Sequence, residues 1–236
     1  KSVSIVIPCR NEKGNIEAIV QRIPDMGEWT EIIFVEGGSS DGTLEEIQRV
    51  CEKYRDQKKI RCAVQSESGK GDAVRKGFSL AEGGILMVLD ADLTVPPEDL
   101  PRFYEVMASG HGEFVQGSRL IYPMEPEAMR FLNLLANKFF SLIFSWLLKH
   151  RIKDTLCGTK VLFKADYQIL AANRRYFGNF DPFGDFDLIF GAYKLNLKIV
   201  EIPVHYKERA YGRTNISRIR HGCLLLRMCL FAAQKL

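Results

Sequence analysis

The 236-residue sequence has no Cys-x-x-Cys pair and only four histidines, His111, His150, His205 and His221, none at metal-ligand spacing from another. That excludes a zinc-finger or thioredoxin-type centre. The six cysteines, Cys9, Cys51, Cys62, Cys157, Cys223 and Cys229, are scattered, several in apolar stretches where a thiol packs as a small hydrophobe. Reduced thiols and a cytoplasmic setting are the expectation. The phosphate cradle G-x-x-x-x-G-K-[ST] is missing, which argues against an ATPase or GTPase. Internal repeats, a low-complexity linker and a leader-like opening segment are also missing. A strand-like run opens at Val3 almost directly behind Lys1, so the sequence reads as an excised domain, and fused or neighbouring domains are expected outside it. A spanning helix needs about 20 mostly apolar residues. Arg130 to Leu148 reaches that length only if Asn133, Asn137 and Lys138 are tolerated, and Gly222 to Ala233 falls short of it.

What is present is the composition of a globular chain able to bury a core, 46% hydrophobic and 26% charged. The net charge of +4 is unevenly placed. Between Lys207 and Arg227 six basic residues (Lys207, Arg209, Arg213, Arg218, Arg220, Arg227) face one acid, Glu208. Such a block predicts a polyanionic partner, either substrate phosphates or anionic lipid. Nucleic acid is not expected, because nothing resembling a nucleic-acid module accompanies the block.

Strands and helices alternate through the first half. Ser2 to Ile7 is a β-branched run stopped by Pro8, and Asn15 to Ile23 reads as a helix. Glu31 to Val35 is a second strand. A loop at Gly37 to Gly42 follows, then a helix to about Tyr54 that Thr43 caps with Glu46 as its capping-box partner. Ile60 to Val64 is a third strand, Lys70 to Leu80 a helix, and Ile85 to Leu89 a wholly apolar fourth strand, as in a sheet covered on both faces. This order predicts an α/β fold with a doubly wound, mostly parallel sheet. In such sheets ligands bind beyond the carboxyl ends of the strands. The polar clusters stand there: Arg10-Asn11-Glu12, Glu36 to Asp41, and Asp90 to Thr94. The two apolar segments of the second half fit amphipathic helices lying on a membrane or on each other; core packing accounts equally for the first.

Asp90 and Asp92 close the fourth strand, and in an extended chain residues two apart point to one side. Two like charges so placed are costly unless a cation joins them. Mg²⁺ or Mn²⁺ suits one or two carboxylates plus substrate phosphates. The alternative is a pair of solvated loop acids. Glu36 and Asp41 can accept hydrogen bonds from a nucleoside, although Ser39-Ser40-Asp41-Gly42 is also turn chemistry. Lys70 can reach donor phosphates. Asp185 and Asp187 lie where a helix begins, a place that favours carboxylates in any case.

Together these stretches resemble the family 2 glycosyltransferases of GT-A fold, closest to the branch of dolichol-phosphate mannose synthases and polyprenyl-phosphate glycosyltransferases. The carrying residues are Ser4 to Glu12, Val35 to Thr43, Gly69-Lys70-Gly71, Leu89 to Pro97, Gly117-Ser118-Arg119, Asp154 to Lys160, and Arg209 to Asn215. The resemblance implies a GT-A domain over residues 1–206, its nucleotide half to about 120, followed by a basic loop and an amphipathic membrane-proximal helix at 207–236. It implies nucleotide contacts from Pro8, Arg10, Asn11, Glu12, Glu36, Gly38, Asp41, Lys70, Asp72, Asp90 and Ala91, and a divalent metal, Mn²⁺ or Mg²⁺, at Asp90 and Asp92. Arg119 then meets a donor or acceptor phosphate, and Arg130, Lys160, Arg209 and Arg213 face the acceptor. Asp185, with Asp187 beside it, matches the place of the family's catalytic acid.

The sequence departs from the family pattern at three places. Glu36-Gly37 stand for two aspartates, Thr94 for a frequent Gln, and Thr214-Asn215 for Ser-Lys. The implied reaction inverts the anomeric centre of a UDP- or GDP-linked sugar and transfers it to a polyprenyl phosphate at the cytoplasmic face of a membrane. The alternatives are a hydroxyl acceptor with Asp185 as base, and a silent nucleotide-sugar-binding domain. Q-x-x-R-W, expected of processive synthases, is absent, as is the Gly-rich signature of sugar nucleotidyltransferases.

Overall fold

A computed structural model describes residues 1–122, 131–173, 186–212 and 218–235. Seven strands form one sheet: β1 (Val3–Cys9), β2 (Thr30–Glu36), β3 (Lys59–Val64), β4 (Ile85–Val88), β5 (Phe114–Ser118), β6 (Lys160–Phe163) and β7 (Ile199–Pro203). Their spatial order is β3-β2-β1-β4-β6-β5-β7. The pairs among β1 to β4 are parallel, β6 runs antiparallel to β4 and β5, and β7 is parallel to β5. The mostly parallel doubly wound expectation therefore holds. The chain winds outward from β1 to β3 and then crosses back to β4, which opens a crevice between the ends of β1 and β4.

Alternate residues of β1 serve opposite faces. Val3, Ile5 and Ile7 join a core with Ile16 and Ile19 of α1 (Ile16–Arg22) and Ile47 of α2 (Thr43–Tyr54). Val6 joins the other core with Val74 and Phe78 of α3 (Lys70–Leu80). Full burial of such side chains contributes about 1.5–3 kcal/mol each, so both faces hold the sheet flat against its helices. The remaining helices are α4 (Leu100–Ala108), α5 (Phe131–Leu147), α6 (Lys164–Ala172), α7 (Phe186–Lys194) and α8 (Arg218–Lys235).

Local details differ from the pattern reading. Pro8 lies inside β1, level with Val35 of β2, rather than ending it. β4 ends at Val88, the partner of Val6, so on that side the missing N–H of Pro8 breaks no ladder bond. Thr43 is the first helical residue of α2 and Gly42, left-handed at φ 85°, is the cap residue. The capping box is not formed; the Asp41 carboxylate accepts the Thr43 backbone N–H at 3.0 Å instead.

α5 and α8 pack against each other. Each buries one side, Phe140 and Phe144 from the first and Leu225, Met228 and Cys229 from the second, and leaves Phe139, Leu142, Trp146 and Leu230 exposed. Among the described residues no helix is long and apolar enough to cross a membrane.

Candidate active site

The loops leaving β1, β2 and β4 converge at the crevice. Asn11 is left-handed at φ 57°, a conformation Asn tolerates better than most residues. Its side-chain oxygen accepts the Ser40 N–H at 2.8 Å, and its own N–H donates to Ser39 Oγ at 2.9 Å. Glu36 accepts the Ser39 N–H at 2.5 Å. Asp41 accepts the Lys13 N–H at 3.2 Å and the Tyr211 hydroxyl at 3.3 Å. Asp72 accepts the N–H groups of Ser66 and Glu67 at 3.0 and 2.8 Å. These candidate nucleotide residues thus brace the rim loops on one another. Arg10 is exposed and Pro8 half-buried; Gly38, at φ 74°, has open space around its Cα.

The acid pair stands on a turn past the end of β4, not on extended strand. The physical reason is Leu93, left-handed at φ 57°, a costly conformation for a bulky residue that the surrounding packing maintains. Asp92 accepts Thr94 N–H at 3.1 Å and Thr94 Oγ1 at 2.8 Å, which closes the turn. Each acid holds a cation. Lys70 Nζ lies 2.6 Å from Asp90 Oδ1. Arg209 bridges two loops, with Nη2 2.8 Å from Asp92 Oδ2 and Nη1 2.5 Å from Glu12 Oε1. Burial would raise the Asp90 carboxyl, but Lys70, Lys160 and Arg119 outweigh it and hold that carboxyl below the usual range. Burial keeps Glu12 above its usual range, with Arg209 opposing. Ala91 between the acids is buried.

Lys160 is fully buried and its Nζ donates to the Cys157 carbonyl at 2.5 Å. Gly158, in the same turn, lies directly on the acid pair: an added Cβ would strike Asp90 Oδ2 and Lys70 Nζ. Arg119 is not free. Its Nε and Nη2 donate to Asp154 at 2.7 and 2.8 Å, and its guanidinium lies 5.1 Å from the Tyr206 ring centre. Asp187 is half-buried in the first turn of α7. Arg130, Asp185 and Arg213 lie outside the described residues. Roles for Gly158, Asp154 and Tyr206 were not assigned from sequence. The signal was at hand for two of them in the Asp154 to Lys160 stretch.

Burial opposes ionisation of Asp154, but Arg119 overrides it and holds the carboxyl down at about 2, below its ordinary 3.8. A depressed folded-state value means the pair stabilises the fold above about pH 4, and that this stability drains away as pH falls towards 2. Asp154→Asn is expected to cost about 3–5 kcal/mol at neutral pH, because it strands a buried guanidinium. The loss should shrink towards pH 2 to 3; urea unfolding across that range reads both.

The donor set suits a divalent ion in a particular way. No group of three His, Cys, Asp or Glu side chains able to hold a metal occurs among the described residues. Yet Asp90 and Asp92 are hard oxygen ligands that already attract positive charge from Lys70 and Arg209. Mg²⁺ and Mn²⁺ sites of one or two carboxylates are completed by substrate phosphates and water. The residues therefore fit a metal that arrives with a diphosphate, not a closed protein cage.

A model of glycosyl transferase family 2 matches residues 4–170. The chain belongs to this family. Among curated relatives, a dolichol-phosphate mannosyltransferase of Pyrococcus furiosus is 32% identical over 91% of this chain and 59% of its own length. The Saccharomyces cerevisiae protein of that name is 37% identical over 43% of this chain and 39% of its own length. An undecaprenyl-phosphate 4-deoxy-4-formamido-L-arabinose transferase of Aeromonas hydrophila is 33% identical over 47% of this chain and 35% of its own length. The chain thus spans well under two thirds of these relatives. A solved glucosyl-3-phosphoglycerate synthase of Mycobacterium tuberculosis, in complex with Mn²⁺, UDP and glucosyl-3-phosphoglycerate, superposes with a TM-score of 0.69 at 16% identity, over all of this chain and 80% of that one. That likeness bears out the GT-A fold of this family 2 chain.

Proposed function

We propose that this family 2 domain transfers a sugar, with inversion, from a nucleotide-diphosphate donor to a polyprenyl phosphate at a membrane surface. One observation carries the reading: at the switch point of the sheet Lys70 sits on Asp90 at 2.6 Å and Arg209 on Asp92 at 2.8 Å, with the charges of Lys160 and Arg119 also acting on Asp90. Two cations resting on two acids, in a field made positive by two more, suit a site that takes up a donor diphosphate together with an acceptor phosphate. The similarity to a dolichol-phosphate mannosyltransferase and to an undecaprenyl-phosphate 4-deoxy-4-formamido-L-arabinose transferase supports the same acceptor class.

Asp90 and Asp92 would hold Mn²⁺ or Mg²⁺, which neutralises the departing diphosphate. Lys70 and Arg209, now on the acids, are placed to move to phosphate oxygens. The braced loops at Asn11, Glu36 and Asp41 supply a rigid wall for the nucleoside. A polyprenyl phosphate is already an anion, so its attack on the anomeric carbon needs no general base. The exposed stripe of α5 and the apolar edge of α8 supply a face for lipid, with exposed Lys138, Lys149 and Arg151 suited to anionic headgroups.

Thermal unfolding with a panel of UDP- and GDP-sugars, each with and without Mn²⁺, tests the donor half. A ligand at 100 times its Kd stabilises by about 2.7 kcal/mol. A panel in which no nucleotide sugar stabilises the chain, even with Mn²⁺, overturns the reading. Asp185→Asn tests the acceptor half. Turnover within about threefold of wild type is expected with a phosphate acceptor, whereas a loss of about 10² to 10⁴ would mean that a base is required and the acceptor is a hydroxyl.

A further inference from the structure

α5 has two unlike faces. Outward stand Leu135, Phe139, Leu142 and Trp146, the last 75% exposed. Inward, Asn137, Ser141 and Ser145 recur every four residues and all reach one segment of chain. Asn137 Nδ2 donates to Asp154 Oδ1 at 2.8 Å. Ser141 donates to the Ile152 carbonyl, and Ser145 Oγ accepts the Ile152 N–H at 3.0 Å. Asp154 then grips Arg119 through both carboxylate oxygens. A helix held only by packing would carry apolar residues along this stripe. Instead a polar line, buried at Asn137 and half-buried at Ser141 and Ser145, runs from the helix with the exposed apolar face to a segment whose Asp154 holds a cation that acts on Asp90.

The region also has unused capacity. Among the described residues, Asn137 Oδ1 and the hydroxyls of Ser118, Thr155 and Thr159 are buried without a hydrogen-bond partner. Each such group costs about 1–3 kcal/mol, so a network with this many is a candidate for a second arrangement. If Arg119 turns towards a phosphate, Asp154 needs replacement donors, and neighbouring hydroxyls can supply them.

We propose that Asn137 is a positioning residue: by holding Asp154 it sets the Arg119 guanidinium, and it makes that setting depend on how α5 is seated on lipid. The inference rests on the polyprenyl-phosphate reading above. Asn137 touches neither donor nor acceptor and acts only through Asp154.

The test compares Asn137→Leu with wild type, using the full protein, on two acceptors. One is polyprenyl phosphate in phosphatidylcholine–phosphatidylglycerol vesicles; the other is a short, water-soluble prenyl phosphate. Vesicle co-sedimentation and KM for the nucleotide sugar should stay within about twofold, and kcat on the vesicle-borne acceptor should fall about 10- to 100-fold, the usual cost of losing a supporting hydrogen bond behind a charged site group. On the soluble acceptor kcat should fall at least about threefold less than on vesicles, because there only the setting of Arg119 is lost and not its dependence on lipid. An equal fall on both acceptors, or none on vesicles, overturns the proposal. Should Asn137→Leu not fold, Asn137→Ser, which keeps a donor, must still lower the vesicle-to-soluble ratio; an unchanged ratio overturns the proposal. A wild-type protein that glycosylates neither prenyl phosphate removes the acceptor reading itself, whereas an active wild type with an indifferent variant removes only the coupling.

Discussion

Asp92→Asn is expected to lower sugar transfer by about 10³-fold while the chain stays folded. The magnitude follows from the several kcal/mol that a metal contributes to transition-state charge, at 1.36 kcal/mol per tenfold. Folding should survive because the amide oxygen of Asn can still accept from Thr94 N–H and Thr94 Oγ1, the two bonds that close the turn. Only the charge that holds Arg209, and that would hold the metal, is removed. Steady-state kinetics beside thermal unfolding separate the two effects, and a loss of less than about tenfold would contradict the metal assignment. Arg209→Gln gives the opposite sign in one assay. With the resident cation gone, Mn²⁺ alone should bind about fivefold more tightly by paramagnetic titration, since one charge pair at a half-buried site is worth about 1 kcal/mol. Nucleotide-diphosphate binding should weaken in the same variant.

Gly158→Ala should be nearly as damaging, although it adds one methyl group. That methyl would lie well inside contact distance of both Asp90 Oδ2 and Lys70 Nζ, the second at 2.5 Å. The turn cannot retreat freely, because the Thr159 carbonyl accepts Gly117 N–H at 3.0 Å and the Cys157 carbonyl accepts Lys160 Nζ at 2.5 Å. The acid pair or the lysine must therefore shift. Displacement of a reacting constellation by about 1 Å costs on the order of 10²-fold in rate. The effect should fall on kcat and on Mn²⁺–nucleotide affinity together. Gly84→Ala serves as the control: its added Cβ meets only Ser2 O, at 3.9 Å, an ordinary contact. Equal activity in the two variants would show that the 157–159 turn does not bear on the site.

Much of this could be read from the order of residues alone. The apolar runs at Val3, Ile32 and Ile85, alternating with helical stretches, pointed to a parallel sheet covered on both faces, because β-α-β units bury such runs between their helices. In a parallel sheet the polar clusters that follow those runs fall on one rim, which brings Asp90, Asp92, Asn11 and Glu36 near one another. α3 kept its expected bounds because a glycine loop precedes it and its apolar spacing is regular. What sequence could not decide was which charges meet. Arg209 is 117 residues from Asp92 and 197 from Glu12, yet one guanidinium spans both. Arg119 looked like a free phosphate ligand until the sheet order β4-β6-β5 brought Asp154 against it. Periodicity and motif report what a residue is and which way its own element turns. The partner of a buried charge is set by the crossing of distant loops, where desolvation makes the nearest opposite charge decisive, and only the tertiary structure settles that.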